Sequence, residues 1–203
     1  VGDCVCASTS YQYLIHDRMA ARAMDDRIGA FIVLEAIRQA KEKGCKIGAY
    51  GATTVGEETS MRGAFWASQK VKPTCAIAID VTYTSDYEGV SASATGEMAL
   101  GKGPVLCHSS IVNKKMNEIL ETCAKKLNIH LQYEIASGRT GTDADNIHFT
   151  NDGVPVALVS IPLRYMHSSI ETLSLKDVQE IIDLLAEFLC AFDETVELDP
   201  FKG

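Results

Sequence analysis

The chain has 203 residues, of which 46% are hydrophobic and 23% are charged. This length and composition predict one soluble globular domain that can build its own core. The 27 acidic residues outnumber the 19 lysines and arginines, for a net charge of −8, which argues against binding to nucleic acid or to a membrane surface. The longest near-apolar run, residues 154–163, reaches about half of a bilayer span, so no transmembrane helix is predicted.

Apolar periodicity predicts strands that alternate with helices along the chain, after a strand-like stretch at Cys4–Ser8. Helices are expected at Asp26–Lys43, Met61–Lys70, Asp143–Phe149, Val112–Leu127 and Leu175–Phe192, and strands at Ile47–Val55, Cys75–Val81, His130–Ala136 and Val154–Pro162. This alternation is typical of an α/β fold in which helices cover both faces of a mostly parallel sheet.

The cysteines indicate a reducing environment. There are seven of them, an odd number, and none forms a Cys-x-x-Cys pair. Several lie in apolar contexts, among them Cys75, Cys123 and Cys190. We therefore interpret them as reduced core thiols and expect a cytoplasmic protein.

Acidic and imidazole side chains occur where predicted strands give way to loops. The positions are Asp25-Asp26, Glu57-Glu58, Asp80 and His167. In sheets of this kind ligands bind beyond the carboxyl ends of the strands. Carboxylates gathered in such a crevice repel one another, and a divalent cation removes that conflict. Carboxylate and imidazole ligands without a thiolate favour zinc, cobalt or manganese.

Each of these residues also has a purely structural interpretation. Asp25 or Asp26 could cap the following helix, and Glu57-Glu58 could be a solvated pair in a loop. Asp80 could begin a turn, and His167 could be an ordinary surface or core histidine. The common position at strand ends is what favours a metal site over these alternatives.

Six short motifs, in order along the chain, resemble those of one enzyme family. They lie at Ala23–Gly29, Thr54–Ala64, Ala78–Thr82, Leu100–Pro104, Gly141–Ala144 and Ser160–Ser168. Together they are similar to the glutamyl aminopeptidase/endoglucanase-like metallopeptidases, which include the tetrahedral self-compartmentalising (TET) aminopeptidases. The resemblance extends from about residue 1 to residue 192.

The resemblance implies a three-layer α/β/α zinc-peptidase fold and a dinuclear metal-dependent aminopeptidase that removes N-terminal residues from peptides. It implies two divalent metal ions, zinc or cobalt, and a homo-oligomer. By position in the motifs, Asp25 would bridge the ions, with a cis peptide bond to the next residue. Glu58 and His167 would bind one ion, Asp80 would bind the other, and Glu57 would be the general base.

The sequence departs from this family in ways that bear on the metal site. Gly56 stands where the family usually has Gln, and Thr59-Ser60 replaces Val-Gly. Family members are longer, with an earlier His-x-Asp strand whose histidine completes the metal site, and with an inserted β-barrel domain. We therefore expect residues 1–203 to be a single incomplete catalytic domain, the C-terminal part of a longer protein, with residues 1–22 as the exit from the inserted domain.

Without that histidine, the ion bound by Asp25 and Asp80 is expected to be held weakly. The alternative function is therefore a catalytically incomplete fragment or pseudoenzyme. Such a chain would bind at most one metal and serve in assembly.

Overall fold

The computed structural model describes residues 1–4, 10–199 and 202. The strand expected at Cys4–Ser8 falls mostly outside these ranges. The described strands are β1 (Gln12–Leu14), β2 (Arg18–Ala21), β3 (Ala76–Tyr83), β4 (Val105–Ser109), β5 (Gln132–Ala136), β6 (Val156–Leu163) and β7 (Glu171–Ser174). The described helices are α1 (Met24–Glu42), α2 (Arg62–Val71), α3 (Ala92–Thr95), α4 (Lys114–Leu127), α5 (Ala144–Ile147) and α6 (Leu175–Ala191).

The central sheet has four strands in the order β3-β6-β4-β5. Strands β3 and β6 pair in parallel from Ala76↔Val156 to Tyr83↔Leu163, and β4 pairs in parallel with β5. Strand β4 runs antiparallel to β6. All eight residues of β6 are buried, as expected for a strand covered on both faces. The two parallel pairs, β3 with β6 and β4 with β5, confirm the prediction of a mostly parallel sheet.

Helices cover both faces of this sheet, which confirms the three-layer arrangement. Alternate residues of β6, from Ala157 to Leu163, enter a core that also contains residues of α1, α4 and α6. Val156 and Leu158 point to the opposite face of the sheet and belong to a second cluster with Ala144 of α5. This alternation follows from the twofold side-chain period of a strand. The core helices and strands predicted from periodicity agree with the structure to within two residues at each end.

A smaller antiparallel sheet, in the order β1-β2-β7, was not predicted. Strand β2 pairs with β7 from Arg18↔Ser174 to Ala21↔Glu171. These strands have only three or four residues, too few to produce a recognisable alternation of apolar and polar side chains. The pairing of β2 with β7 brings the start of α1 close to the chain that follows β6.

The strand predicted at Ile47–Val55 is wrong. These residues have no regular secondary structure, and Tyr50 and Val55 are mostly exposed. The segment runs beside α1, since a Cβ on Gly51 would lie about 3 Å from side-chain atoms of Val33 and Ile37. A short apolar run predicts a strand only when a neighbouring strand is available to pair with its backbone.

The interpretation of the cysteines as core thiols is only partly correct. Cys107 and Cys123 are buried and Cys75 is partly buried, but Cys190 is exposed. Cys190 lies in the last turn of α6, where an apolar neighbourhood in sequence does not place every side chain on the buried face. Among the described helices, none is both long and apolar enough to span a bilayer.

Candidate metal centre

Three of the predicted ligands, Asp25, Glu58 and His167, come together in space. Each offers one ligand atom, and the three atoms lie within 4.8 Å of one another. His167 Nε2 is 3.1 Å from Asp25 Oδ2 and 3.6 Å from Glu58 Oε2. Ligand atoms at about 2.0–2.1 Å from a tetrahedral zinc would be separated by about 3.3 Å. The observed separations lie on either side of that value, so the geometry fits one divalent cation.

The two aspartates at the start of α1 make different contacts. The Asp25-Asp26 peptide bond is cis, as the resemblance implies, and both residues have non-helical backbone angles. Asp25 contacts His167, whereas Asp26 Oδ1 accepts a hydrogen bond of 2.9 Å from the Gly29 N–H. The capping interpretation therefore applies to Asp26, which satisfies a free donor of the first helical turn.

Glu57 and Glu58 lie in a tight turn that leads into α2. The Gly56 carbonyl accepts hydrogen bonds from the N–H groups of Ser60 at 2.9 Å and Met61 at 2.7 Å. Gly56 has a φ of +75°, which glycine adopts without a steric penalty. The two glutamates thus do not follow a strand, contrary to the sequence prediction, but the turn still brings Glu58 to the cluster.

Asp80 reaches the same cleft from within a strand. It is the fifth residue of β3 and pairs in register with Ser160 of β6. Alternation along β3 places Asp80 on the same face as Ala78 and Thr82. Its Oδ1 accepts a hydrogen bond of 2.8 Å from the Val81 N–H. Asp80 and Glu57 both line the cleft but lie outside the three-residue group described above.

His167 is presented by a turn that continues β6 and returns as β7. Arg164 and Thr172 close this turn with two backbone hydrogen bonds, of 2.9 and 3.1 Å. Tyr165 and His167 have φ values of 63° and 60°, in the left-handed region. The histidine is 56% exposed and follows the carboxyl end of a central strand, as predicted.

The cluster opens onto a cleft of about 350 Å³, within the size range of small-ligand sites. Glu134 on β5 lies in its wall and accepts hydrogen bonds from the hydroxyls of Thr82 at 2.6 Å and Ser160 at 2.7 Å. Met98, Ile135 and Met166 supply apolar surface. The cleft therefore combines an acidic end with a mixed polar and apolar wall.

We name Asp25, Asp26, Glu57, Glu58 and Asp80 the acidic cluster. Burial raises the pKa of four of its members, and nearby carboxylates raise these values further. The pKa rises to about 6 for Asp25 and to about 7 for Glu57, in both cases mainly through burial and then through Glu58. Burial raises the pKa of Asp80 to about 8, and burial and Asp80 raise that of Asp26 to about 9. Ionising all of these groups together therefore requires a compensating positive charge.

The chemistry of this donor set fits a divalent metal. A bound dication would stabilise the ionised carboxylates that otherwise repel one another. Two carboxylates and one imidazole, with no thiolate in the group, suit zinc, cobalt or manganese. The structural alternatives do not explain why Asp25, Glu58 and His167 converge. Those alternatives were an isolated helix cap, a solvated loop residue and a lone histidine.

Sequence reasoning missed the side chains that support this cluster. Glu171 is 2% exposed and accepts three backbone hydrogen bonds beside Asp25 and His167. The Asp143 carboxylate accepts a hydrogen bond from the Thr54 hydroxyl and so joins the segment before Glu57 to α5. The motif at Gly141–Ala144 could have pointed to Asp143, whereas no local signal distinguished Glu171.

The acidic cluster predicts how the stability of the metal-free protein depends on pH. Since the folded-state pKa values exceed those of unfolded carboxyl groups, the folded protein binds more protons between about pH 4 and pH 9. The contribution of the acidic cluster to the free energy of unfolding is fully present below about pH 4. It is lost as the pH rises through the pKa values that these groups have in the folded protein. With chelator, the melting temperature should therefore be lower at about pH 8.5 than at about pH 5.5.

Two comparisons test the origin of this dependence. Excess Zn²⁺ or Co²⁺ should reduce the fall in melting temperature, because the cation stabilises the ionised cluster. Asp80→Asn should also reduce it, since the pKa of Asp80 is raised to about 8. A melting temperature with chelator that stays constant or rises across this range would contradict the burial of these groups.

Comparisons with known proteins show which family the chain resembles. Residues 1–184 match the M42 glutamyl aminopeptidase family. A lysyl aminopeptidase of Pyrococcus furiosus is 36% identical over 182 residues, which cover 89% of this chain and 51% of that protein.

Solved structures give the same result. A TET aminopeptidase from a marine sediment Thaumarchaeota archaeon has a TM-score of 0.83 and 34% identity, with 91% of this chain and 53% of that chain covered. The Pyrococcus horikoshii TET1 peptidase, which can assemble into a tetrahedron or a large octahedral shell, has a TM-score of 0.72 and 27% identity, with 90% and 53% covered. The chain therefore spans about half the length of these relatives. With nine-tenths of its residues matched, the chain belongs to the M42 glutamyl aminopeptidase family.

Proposed function

We propose that this chain carries the metal-binding and proton-transfer groups of an aminopeptidase that hydrolyses N-terminal residues from peptides. The observation that carries the proposal is the convergence of Asp25, Glu58 and His167 to within 4.8 Å at the end of a cleft. Membership of the M42 family supports peptides as the substrate class.

Two divalent ions, zinc or cobalt, would occupy the site, and Asp25 would be shared between them. Glu58 and His167 would bind the first ion together with Asp25. Asp80 would bind the second ion, also together with Asp25. When bound, such ions act as Lewis acids that polarise a carbonyl and lower the pKa of water. Because the first ion has three ligands on this chain and the second has two, we expect the first to bind more tightly.

Glu57 would act as the general base. It lines the cleft next to Glu58, and burial raises its pKa to about 7. A carboxylate with a pKa near the working pH can both accept and return a proton. Glu57 would take a proton from the attacking water and pass it to the amine that leaves.

The cleft suits the end of a peptide. Its volume of about 350 Å³ can enclose only a short part of a chain. The acidic groups at one end would attract the positively charged α-amine of the substrate. The wall that contains Met98, Ile135 and Glu134 would contact the first side chain.

Assembly and cellular setting are further parts of the proposal. The TET1 peptidase of Pyrococcus horikoshii can assemble into a tetrahedron or a large octahedral shell, which supports a homo-oligomer for the full-length protein. The cysteines in the described part of the chain are free thiols, which supports a cytoplasmic setting.

Metal titration of the purified chain, stripped with chelator, tests the proposal. A competing indicator dye should report one tightly bound Zn²⁺ or Co²⁺ per chain and a second that binds at least about tenfold more weakly. A panel of aminoacyl chromogenic substrates should be hydrolysed only after metal is restored. Tight binding of one ion without hydrolysis would instead support the incomplete fragment or pseudoenzyme, and failure to bind either ion would overturn both functions.

A further inference from the structure

One buried carboxylate lies behind the metal centre without pointing into it. Glu171 is the first residue of β7 and is 2% exposed. Its Oε2 accepts hydrogen bonds from the backbone N–H groups of Met24 at 2.6 Å and Asp25 at 3.1 Å. Its Oε1 accepts a third, of 3.1 Å, from the N–H of His167. A single side chain thus binds the backbone of two predicted metal ligands.

These contacts connect segments that are far apart in the chain. Glu171 is 146 residues from Asp25 and four residues from His167. Strand β7 pairs with β2, which leads into Asp25, and the Arg164↔Thr172 bridge joins β7 to the end of β6, which leads to His167. The strand pairing brings the segment that contains Asp25 close to the segment that contains His167. The hydrogen bonds to the Glu171 carboxylate then set the distance between their backbones.

The chemistry of these bonds suits that task. A carboxylate is an acceptor with two oxygens, so it can receive N–H groups from two directions at once. Hydrogen bonds to an ionised acceptor are roughly twice as strong as neutral ones. The negative charge of Glu171 also lies beside Asp25, where it raises the pKa of the Asp25 carboxyl and would add to the attraction for a cation.

We propose that Glu171 is a positioning residue that holds Asp25 and His167 in ligating geometry and strengthens metal binding without contacting the ion. This inference rests on the proposed function, because it assumes that Asp25 and His167 bind the metal. Supporting groups of this kind typically change metal affinity by about 10–100-fold.

Glu171→Gln is the most direct variant, since it preserves the shape of the side chain. The amide oxygen can still accept from Met24 and Asp25, but the NH₂ group would then face the His167 N–H and cannot accept from it. We expect the affinity for Zn²⁺, measured by dye competition well below the melting temperature, to fall about 10–100-fold. The visible spectrum of the Co²⁺-loaded protein should change as well, because the ligand geometry changes.

Asp177→Asn provides a matched control. Asp177 is also fully buried, and its carboxylate accepts backbone hydrogen bonds of 2.7 and 2.8 Å from Gly101 and Gly103. This variant should lower the melting temperature, as the loss of a buried acceptor does, yet leave Zn²⁺ affinity unchanged. If Glu171→Gln lowers the melting temperature but binds Zn²⁺ as tightly as the unmodified chain, Glu171 has only a structural role and the inference is wrong.

Hydrogen exchange in the unmodified, metal-free chain gives a second test that does not require a variant to fold. The N–H groups of Asp25 and His167 should exchange at least about 100-fold more slowly than in an unstructured peptide. Free exchange of either group would overturn the inference. A chain that binds no metal but protects both groups would instead overturn the proposed function and leave Glu171 as a structural residue.

Discussion

Replacing Glu57 by Gln should leave metal binding largely intact and reduce peptide hydrolysis by about 10²–10⁴-fold, the usual contribution of a general base. Glutamine has nearly the same shape as glutamate but cannot accept the proton of the attacking water. Glu57 lies outside the three-residue ligand group, so its loss does not remove a predicted ligand of the tighter ion. The measurement is the turnover number with aminoacyl chromogenic substrates, together with elemental analysis of the same preparation.

A second readout checks that the variant is folded and that Glu57 lies in the acidic cluster. Because burial and Glu58 raise the pKa of Glu57 to about 7, the neutral side chain should raise the melting temperature of the metal-free protein at about pH 8.5. Glu194→Gln removes an exposed carboxylate near the C-terminus and should change neither property. Turnover by Glu57→Gln equal to that of the unmodified chain would remove Glu57 from the role of base.

Replacing Asp25 by Asn should reduce metal affinity by about 100-fold or more, because it removes a ligand that both proposed ions share. Asp25 Oδ2 is 3.1 Å from His167 Nε2, and an amide at this position lacks the charge that attracts a dication. Both the tight and the weak binding step should be affected in a Zn²⁺ titration. Hydrolysis should be lost with them.

The neighbouring variant Asp26→Asn is a stringent control. Asp26 Oδ1 accepts a hydrogen bond from the Gly29 N–H, and Asp26 lies outside the three-residue ligand group, so asparagine at this position removes no proposed ligand. The amide oxygen can still accept the hydrogen bond from Gly29. Metal affinity should therefore remain within about threefold of that of the unmodified chain. Equal losses of affinity in the two variants would contradict the separate tasks assigned to Asp25 and Asp26.

The sequence predicted much of the layered fold because its long elements have strong periodicities. The amphipathic stripe of α1 and the apolar run of β6 define their elements without reference to the rest of the chain. The strand predicted at Ile47–Val55 failed because its apolar residues pair with no strand in the described part of the chain. Strands β2 and β7 escaped prediction because four residues carry too little pattern.

The candidate site was predicted in part for the same physical reasons. His167 and Asp80 follow from the rule that ligands gather near the carboxyl ends of parallel strands. Asp25 and Glu58 were expected at strand ends of the same sheet, but Asp25 follows a strand of the small sheet. Glu58 lies in a turn held by Gly56, so the reason given for its position was wrong although it reaches the cluster. Glu171 could not be predicted, since its role depends on a strand pairing between residues some 150 positions apart.

The central claim is that Asp25, Glu58 and His167 together bind a divalent cation. X-ray diffraction from crystals of the chain grown with Zn²⁺, recorded on both sides of the zinc absorption edge, tests this claim most directly. The strongest anomalous peak should lie about 2 Å from one ligand atom of each of the three residues. A well-ordered Asp25, Glu58 and His167 with no peak between them, in crystals whose zinc is bound elsewhere, would contradict the account.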